Sequence, residues 1–524
     1  MNKNTLLFVV MSAAVIFGWY FLFPPEPSTQ NDQTPIQEEV AQTPAQAPAA
    51  QTPAAQTPIP QNQTVNATNE NTQNVFIENE KEKIVLTNKG AGISSWQIKE
   101  QDGNWIELVE NKSEPVLANS DGNYRLVSQS ADGAVFELVS PEGWKITKTY
   151  QFTKDSYMNE LNIKLETLRQ GAALPAIDII WGPGLGTDDE NMKENLSVTR
   201  VVAYTAQKPS KLEVFKNTRN ENADLYQWAA IDNRYFLVAF IPKNNADFST
   251  VSSYREDKKH PFYLTLGLKP QTDTSKDYSL SFYVGPKGYS YLQTYNIKLE
   301  EAVDFGFFGF LGKFAFRILN YLKNITGNFG WAIIILTIII QIIISPLTFK
   351  SYKSMAAMKK IQPLIKDIQT RYKEDKSRLQ AEMMNVYKTY KVNPMGGCLP
   401  MLCQLPIFWA FFTMLRNAYE LRGSQWILWV NDLSTSDNLF AVMGFNVHML
   451  PLIMGAGMFL QQKMSTASSD PTQKKMMYIL PIVFTFMFWG FPSGLVLYWL
   501  TNSICSMIGQ SIISRRDKVV IKKV

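Results

Sequence analysis

Thr337, Gln341 and Ser345 stand at i, i+4 and i+8 inside the isoleucine-rich run from Asn328 to Lys350, and Asn502, Ser506 and Gln510 repeat that spacing near the C-terminus. On a helix each trio makes one polar stripe on an otherwise apolar cylinder. Gln404 and Thr485 lie in two further apolar runs. None of these groups ionises near neutral pH, so their chemistry is hydrogen bonding, to one another or to water and whatever polar matter replaces it. An amide left unpaired in hydrocarbon is costly, so the stripes must face other helices or a wet cavity. Two readings stay open: Gln341 pairs with a neighbouring helix, or it lines a hydrated groove for something polar crossing a membrane. The stripes hold no Asp, Glu, Lys or Arg, which argues against a proton-coupled pump or an ion carrier.

The rest of the chain offers little other chemistry. Two histidines, His260 and His448, and three cysteines, Cys398, Cys403 and Cys505, supply no metal spacing, no histidine triad and no disulfide framework. Asp188, Asp189 and Glu190 follow the turn Trp181-Gly182-Pro183-Gly184. Adjacent carboxylates suit a solvated loop or a weak calcium site, whereas glycoside hydrolysis needs two carboxylates facing each other across a substrate. No glycine-rich phosphate loop is present, so no nucleotide or other cofactor is expected, and no enzyme activity. The formal charge of +5 comes with clustered basic residues, which disfavours specific DNA binding and suits a membrane face with its lipids.

The elements that must position these groups follow from the pattern of the chain. Residues 1–23 read as an uncleaved transmembrane signal anchor with its amino end inside, a cleaved signal peptide being the other reading. Residues 24–74, built of Pro, Gln, Thr, Ala and Asn, form a disordered linker. From 75 to 299 short period-two runs, such as Trp144, Ile146 and Tyr150 alternating with Lys145, Thr147 and Thr149, predict an all-β domain of sandwich type outside the cytoplasm. Residues 300–326, aromatic with scattered Lys313, Arg317 and Lys323, predict an amphipathic helix along the membrane surface. A helical membrane core follows over 327–515. Within it, 350–391 is a basic cytoplasmic hairpin of two helices, marked by Pro363 and the break at Glu374 and Asp375, and Met355, Met358, Met383 and Met384 give it an adaptable apolar face. Further spans fall near Cys398–Leu415, Leu439–Leu460, Met476–Phe491 and Gly494–Ile513, and 516–524 is a basic tail. The count closes at six spans, five of them in the core, with both termini cytoplasmic.

Several motifs are similar to the YidC family of membrane-protein insertases in its long form with an extracytoplasmic domain. They are PLTFKSYKSM at Pro346–Met355, KVNPMGGCLPMLCQLPIF at Lys391–Phe408, QKM at Gln462–Met464 and FPSGLVLYW at Phe491–Trp499. QWAAIDNRYF at Gln227–Phe236 and FYVGPK at Phe282–Lys287 carry the likeness into the β domain. The resemblance implies a non-enzymatic insertase and chaperone of the inner membrane, a hydrophilic groove open to cytoplasm and lipid, a flexible cytoplasmic hairpin and a periplasmic super-sandwich. Its implied partners are nascent membrane proteins, the ribosome by way of the basic hairpin and tail, and the Sec translocon. Where the family's groove carries an arginine five residues before Pro346, this chain has Gln341, so no positive charge transfers to the groove. Thr337, Gln341, Ser345, Gln404, Thr485, Asn502 and Ser506 are the expected groove residues, and the four hairpin methionines the expected capture surface. A membrane-tethered carbohydrate-active or carbohydrate-binding protein is the alternative; it requires facing carboxylates or a histidine in a β-domain cleft. A small-solute carrier would require duplicated halves, which the sequence lacks.

Overall fold

The computed structural model describes residues 72–516 apart from short breaks, the longest at 188–195, 206–210, 393–398 and 466–470. The expected anchor, most of the linker, the tail from 517 on and the Asp188–Glu190 cluster lie outside the described residues.

Alternating strands build three sheets. The largest has nine antiparallel strands in the order Leu212–Phe215, Arg200–Thr205, Tyr226–Asp232, Phe236–Pro242, Ser275–Pro286, Met158–Thr167, Trp144–Gln151, Gly133–Val139 and Arg125–Ser130. One four-stranded sheet uses Asn74–Glu78, Glu82–Thr87, Gly92–Lys99 and Trp105–Glu107; the other uses Arg219–Asn222, Phe248–Tyr254, Tyr263–Leu268 and Asp178–Trp181. Both small sheets share a core with one face of the large one. Trp96 sits where all three meet, its ring 5.9 Å from Phe282 and 6.5 Å from Trp181.

Parity along each strand decides which side a residue serves, because successive side chains point to opposite faces. Trp144, Ile146 and Tyr150 are buried and their neighbours half-exposed. Lys148 shares the buried parity, and the fold meets its three ammonium donors with the carbonyls of Gly90, Ala91 and Leu117. At the other end of the large sheet the alternation disappears. Tyr226–Asp232 and Phe236–Pro242 are buried almost throughout, since Val202, Trp228, Leu237 and Tyr283 enter a second core with Phe305, Phe316 and Leu415 from the helical part of the chain. A strand covered on both faces reads as a continuous apolar run.

A buried charge network fixes this second face. Asp232, fully buried, receives Lys287 Nζ at 2.7 Å and Arg200 Nε at 3.0 Å. Arg200 continues to Asp304 at 3.2 Å and to the Ala302 carbonyl at 2.8 Å, on the connector that leads into the helices. Arg234 Nε donates to the Arg416 carbonyl at 2.8 Å, and Arg422 pairs with Glu100 from the other direction. The two β-domain motifs, QWAAIDNRYF and FYVGPK, thus meet at Asp232 and Lys287.

After a single helical turn at Tyr289–Gln293, the longer helices are α1 (Gly309–Thr326), α2 (Phe329–Arg371), α3 (Lys376–Thr389), α4 (Leu399–Asn417), α5 (Met449–Ser465), α6 (Pro471–Met487) and α7 (Ser493–Arg516). Gly327 ends α1 in the left-handed region, φ 73°, and Asn328 caps α2 by accepting from Gly330 N at 2.8 Å. Among the described residues α2 is the one helix both long and apolar enough by itself to cross a membrane.

Two expectations change. The helix runs unbroken through Pro363, so of the two expected hairpin marks only the break at Glu374 and Asp375 is a turn, lying in Tyr372–Asp375, where Asp375 accepts from Arg378 N at 2.9 Å. The apolar run from Leu439 does not start as a helix: Phe440–Val442 and Phe445–Val447 pair as a small hairpin. Asp437 Oδ2 then accepts from Leu450 N at 2.8 Å, so α5 begins only at Met449.

Candidate functional site

The bundle inverts the usual distribution of polarity. Ile343 on α2 and Phe486 on α6 are 71% and 70% exposed, and Ile342, Ile482 and Ile508 continue the apolar outer surface. Contiguous exposed apolar surface of this kind needs a non-aqueous neighbour.

The inner seam is polar. α7 packs on α2 and α5 and also touches α4, and four of its side chains on one stripe form a ladder to α4 and α2. Tyr498 OH accepts from Gln404 Nε2 at 3.1 Å. One turn on, Asn502 Oδ1 accepts from Gln341 Nε2. Ser506 and Gln510, on the next two turns, stand beside Tyr352 of α2. At about 1.5 Å per residue the ladder runs roughly 18 Å along α7. Gln341, Gln404, Asn502 and Ser506 are all half-buried. The amide pair answers where Gln341 points, and it leaves a second amide donor and further lone pairs on each partner, since a carboxamide supports about four hydrogen bonds.

Of the expected groove residues, then, Gln341, Gln404, Asn502 and Ser506 come together. Ser345 is half-buried one turn beyond Gln341 on α2. Thr337 and Thr485 are elsewhere: each is buried and donates to the carbonyl four residues back, Ile333 and Pro481. Thr485 serves close packing, for its Oγ1 stands 2.0 Å from where a Cβ on Gly455 would lie, so α5 and α6 approach there only because position 455 is glycine. Tyr498 and Tyr352 complete the ladder without having been expected in it. The signal for Tyr498 was its place four residues before Asn502, on the same stripe. Tyr352 has no such signal on α2, because its partners are set by α7.

The hairpin methionines do not make one surface. Met358 and Met383 pack inside the hairpin around Ile361, Ile365 and Val392. Met355 lines a recess with Tyr352, Lys359 and Met464. Met384 faces outward, 51% exposed. The spacing of the four on two helices puts them on different faces once α2 continues straight through Pro363.

A β sandwich locked onto a helical bundle with an apolar outside and a polar inner seam defines an integral membrane protein with a large folded domain beside the membrane. The description "YidC periplasmic domain" matches residues 77–318, and "60Kd inner membrane protein" matches residues 321–520. The membrane protein insertase YidC of Endomicrobium trichonymphae is 54% identical over 526 residues, covering 100% of both chains. That of Geotalea daltonii is 33% identical over 541 residues, covering 98% of this chain and 99% of the relative. A crystal structure of an active YidC insertase with its first transmembrane domain resolved covers 84% of this chain and 92% of its own, at 19% identity and a TM-score of 0.41. The chain belongs to the YidC family of membrane protein insertases.

Proposed function

We propose that this chain inserts nascent membrane proteins into a bacterial inner membrane through a half-wet groove along the seam of α2, α4 and α7, with no catalytic step. The observation that supports this most is the ladder itself. Gln341, Gln404, Asn502 and Ser506 are only half-buried, whereas Tyr498 and Tyr352 are buried behind them, and the half-buried groups retain hydrogen-bonding capacity that hydrocarbon cannot meet. Water meeting that capacity over roughly 18 Å removes more than half of the usual 30 Å or so of hydrocarbon from the path of a polar segment. The apolar outer faces of α2 and α6 leave a route by which the adjoining apolar segment enters lipid.

On this reading the anchor, the apolar half of α2, and α4, α5, α6 and α7 are six spans with both termini cytoplasmic. The β domain is then periplasmic, α1 lies at the outer membrane surface, and the hairpin of α2 and α3 projects into the cytoplasm. Exposed Met384 and the basic hairpin surface suit contact with nascent chains and the ribosome, the Sec translocon being a further partner. The carbohydrate-active alternative draws no support from relatives that match over their full length.

Site-specific photocrosslinkers test the groove. Placed at Gln341, Asn502 and Ser506, they should capture the polar tail of a stalled nascent chain, and at Ile343 and Phe486 its apolar segment. Crosslinks to the polar tail from the outward positions alone would overturn the groove.

A further inference from the structure

The junction of α1 and α2 carries a polar recess that the insertion reading does not use. Asn320, Lys323 and Asn324 of α1, Asn328 before α2, and Glu420 and Gln425 beyond α4 line it. Its volume is about 460 Å³, within the range of about 300–1,000 Å³ typical of small-molecule sites.

Its level relative to a bilayer is marked independently. The apolar run of α2 begins at Phe329, directly at the recess. Trp331, 45% exposed, meets Trp426 edge-on at 5.8 Å, and indoles gather at the headgroup boundary. Gly330 allows this approach, since a Cβ there would lie 2.1 Å from the Trp426 ring. On α1, Phe314, Tyr321 and Ile325 turn outward, whereas Phe316, Leu319 and Leu322 are buried, as in a helix lying in the membrane surface.

Two opposite charges line the recess without pairing. Lys323 approaches the Phe329 ring, 5.7 Å from its centroid, and forms no ion pair among the described residues. Glu420 Oε1 accepts from Ser290 N at 3.2 Å, and its Oε2 is buried with no hydrogen-bond partner among the described residues. Burial raises the Glu420 pKa above the ordinary carboxylate value, so a cationic donor would relieve an existing cost. A cation and an under-satisfied carboxylate in one recess at headgroup depth complement a zwitterion that carries both a phosphate and an ammonium.

We propose that this recess binds the headgroup of an aminophospholipid of the phosphatidylethanolamine class, Lys323 taking the phosphate and the Glu420 carboxyl the primary ammonium. The primary ammonium supplies an N–H donor to the Glu420 carboxyl, whose Oε1 side is the exposed one; a trimethylated choline headgroup has none to give. A lipid held there would be seated where the chain enters the bilayer, whatever the insertion route.

Native mass spectrometry of the full-length chain, exposed to equimolar phosphatidylethanolamine, phosphatidylcholine and phosphatidylglycerol, tests this. One phosphatidylethanolamine should be retained at least about fivefold over either competitor, a modest free-energy difference. Glu420→Gln, which keeps an acceptor for Ser290 N, should abolish the preference over phosphatidylcholine. Lys323→Gln should weaken retention of all three lipids. Should Glu420→Gln unfold, N-methyl and N,N-dimethyl phosphatidylethanolamine replace it on the wild type, and retention should fall with each methyl. Equal retention of ethanolamine and choline lipids, no response to methylation, or a preference for phosphatidylglycerol would each overturn the proposal.

Discussion

Replacing Asp232 by alanine should loosen the β domain from the bundle, and the cost can be worked from its two partners. Arg200 is 20% exposed and keeps Asp304 and the Ala302 carbonyl, so its loss is small. Lys287 is only 4% exposed and keeps just the Asn233 carbonyl. Deleting one member of a buried pair leaves an uncompensated charge, at about 3–5 kcal/mol. For a domain of this size that is a fall in Tm on the order of 10 °C. Burial already holds the Lys287 pKa below the ordinary lysine value, with Asp232 opposing the shift. Without Asp232 it falls further, because the group that opposes the shift is gone. Between the lowered folded pKa and the ordinary lysine range the unfolded chain binds more protons than the folded one, so Asp232→Ala should regain stability as pH rises toward that ordinary range. Adding Lys287→Met removes the stranded charge and should return most of the loss at every pH. Thermal unfolding of the purified full-length variants measures all three. A single-variant cost below about 1 kcal/mol, or a double variant no more stable than the single, would refute the buried pair as the joint.

The same logic applies in the seam and the sandwich. In a cycle of Gln341→Leu and Asn502→Leu, a dry pair should show coupling of about 0.6–1.7 kcal/mol; a hydrated ladder predicts coupling near the bottom of that range, with normal protein levels but impaired insertion of substrates with polar tails. Strong coupling with unimpaired insertion would favour a purely structural pair. In the sandwich, burial raises Glu82 to about 7 and lowers Lys148 to about 7. Glu82 then binds more protons folded than unfolded between its ordinary range and 7, so stability falls as pH rises through that window. For Lys148 the inequality reverses above 7, so stability rises from there toward its ordinary range. Their joint contribution is lowest near pH 7, with limbs of at most about 1.4 kcal/mol per pH unit; Glu82→Gln should flatten the acid limb and Lys148→Met the alkaline limb of a Tm–pH profile.

Legibility of the fold tracked how far each signal was local. Parity assigned the faces of Trp144–Gln151 because one core decides them, and it placed Lys148 inside although lysine is rarely buried. The doubly buried strands at Tyr226–Asp232 and Phe236–Pro242 could not be explained from sequence, because the second covering layer comes from segments more than forty residues downstream, on either side of α2. Pro363 reads as a break since proline removes a helical hydrogen bond, yet the helix passes it as it passes Pro346. The late start of α5 was unreadable for a similar reason, being set by a side-chain cap from Asp437 that lies before an intervening hairpin.

In the site, spacing identified stripes but not their partners. Every i, i+4 polar group on α2 looked equivalent, and the structure separates them by what stands opposite: Thr337 meets packed helix and bonds its own backbone, whereas Gln341 meets Asn502. That opposition bears on the arginine that the resemblance to the family would place at position 341. A guanidinium has five donors and no acceptor, so at position 341 it could engage Asn502 Oδ1 but would still carry a charge that only water or a carboxylate can satisfy. The amide pair needs neither. On the proposed reading a neutral ladder hydrates the seam without drawing acidic segments into it, and electrostatic selection of substrates passes to the basic hairpin, where Lys353, Lys360 and Lys366 stand exposed. Gln341→Arg is then tolerated if the seam is wet, whereas in a dry, lipid-facing span a buried arginine costs at least about 2.5–3.5 kcal/mol.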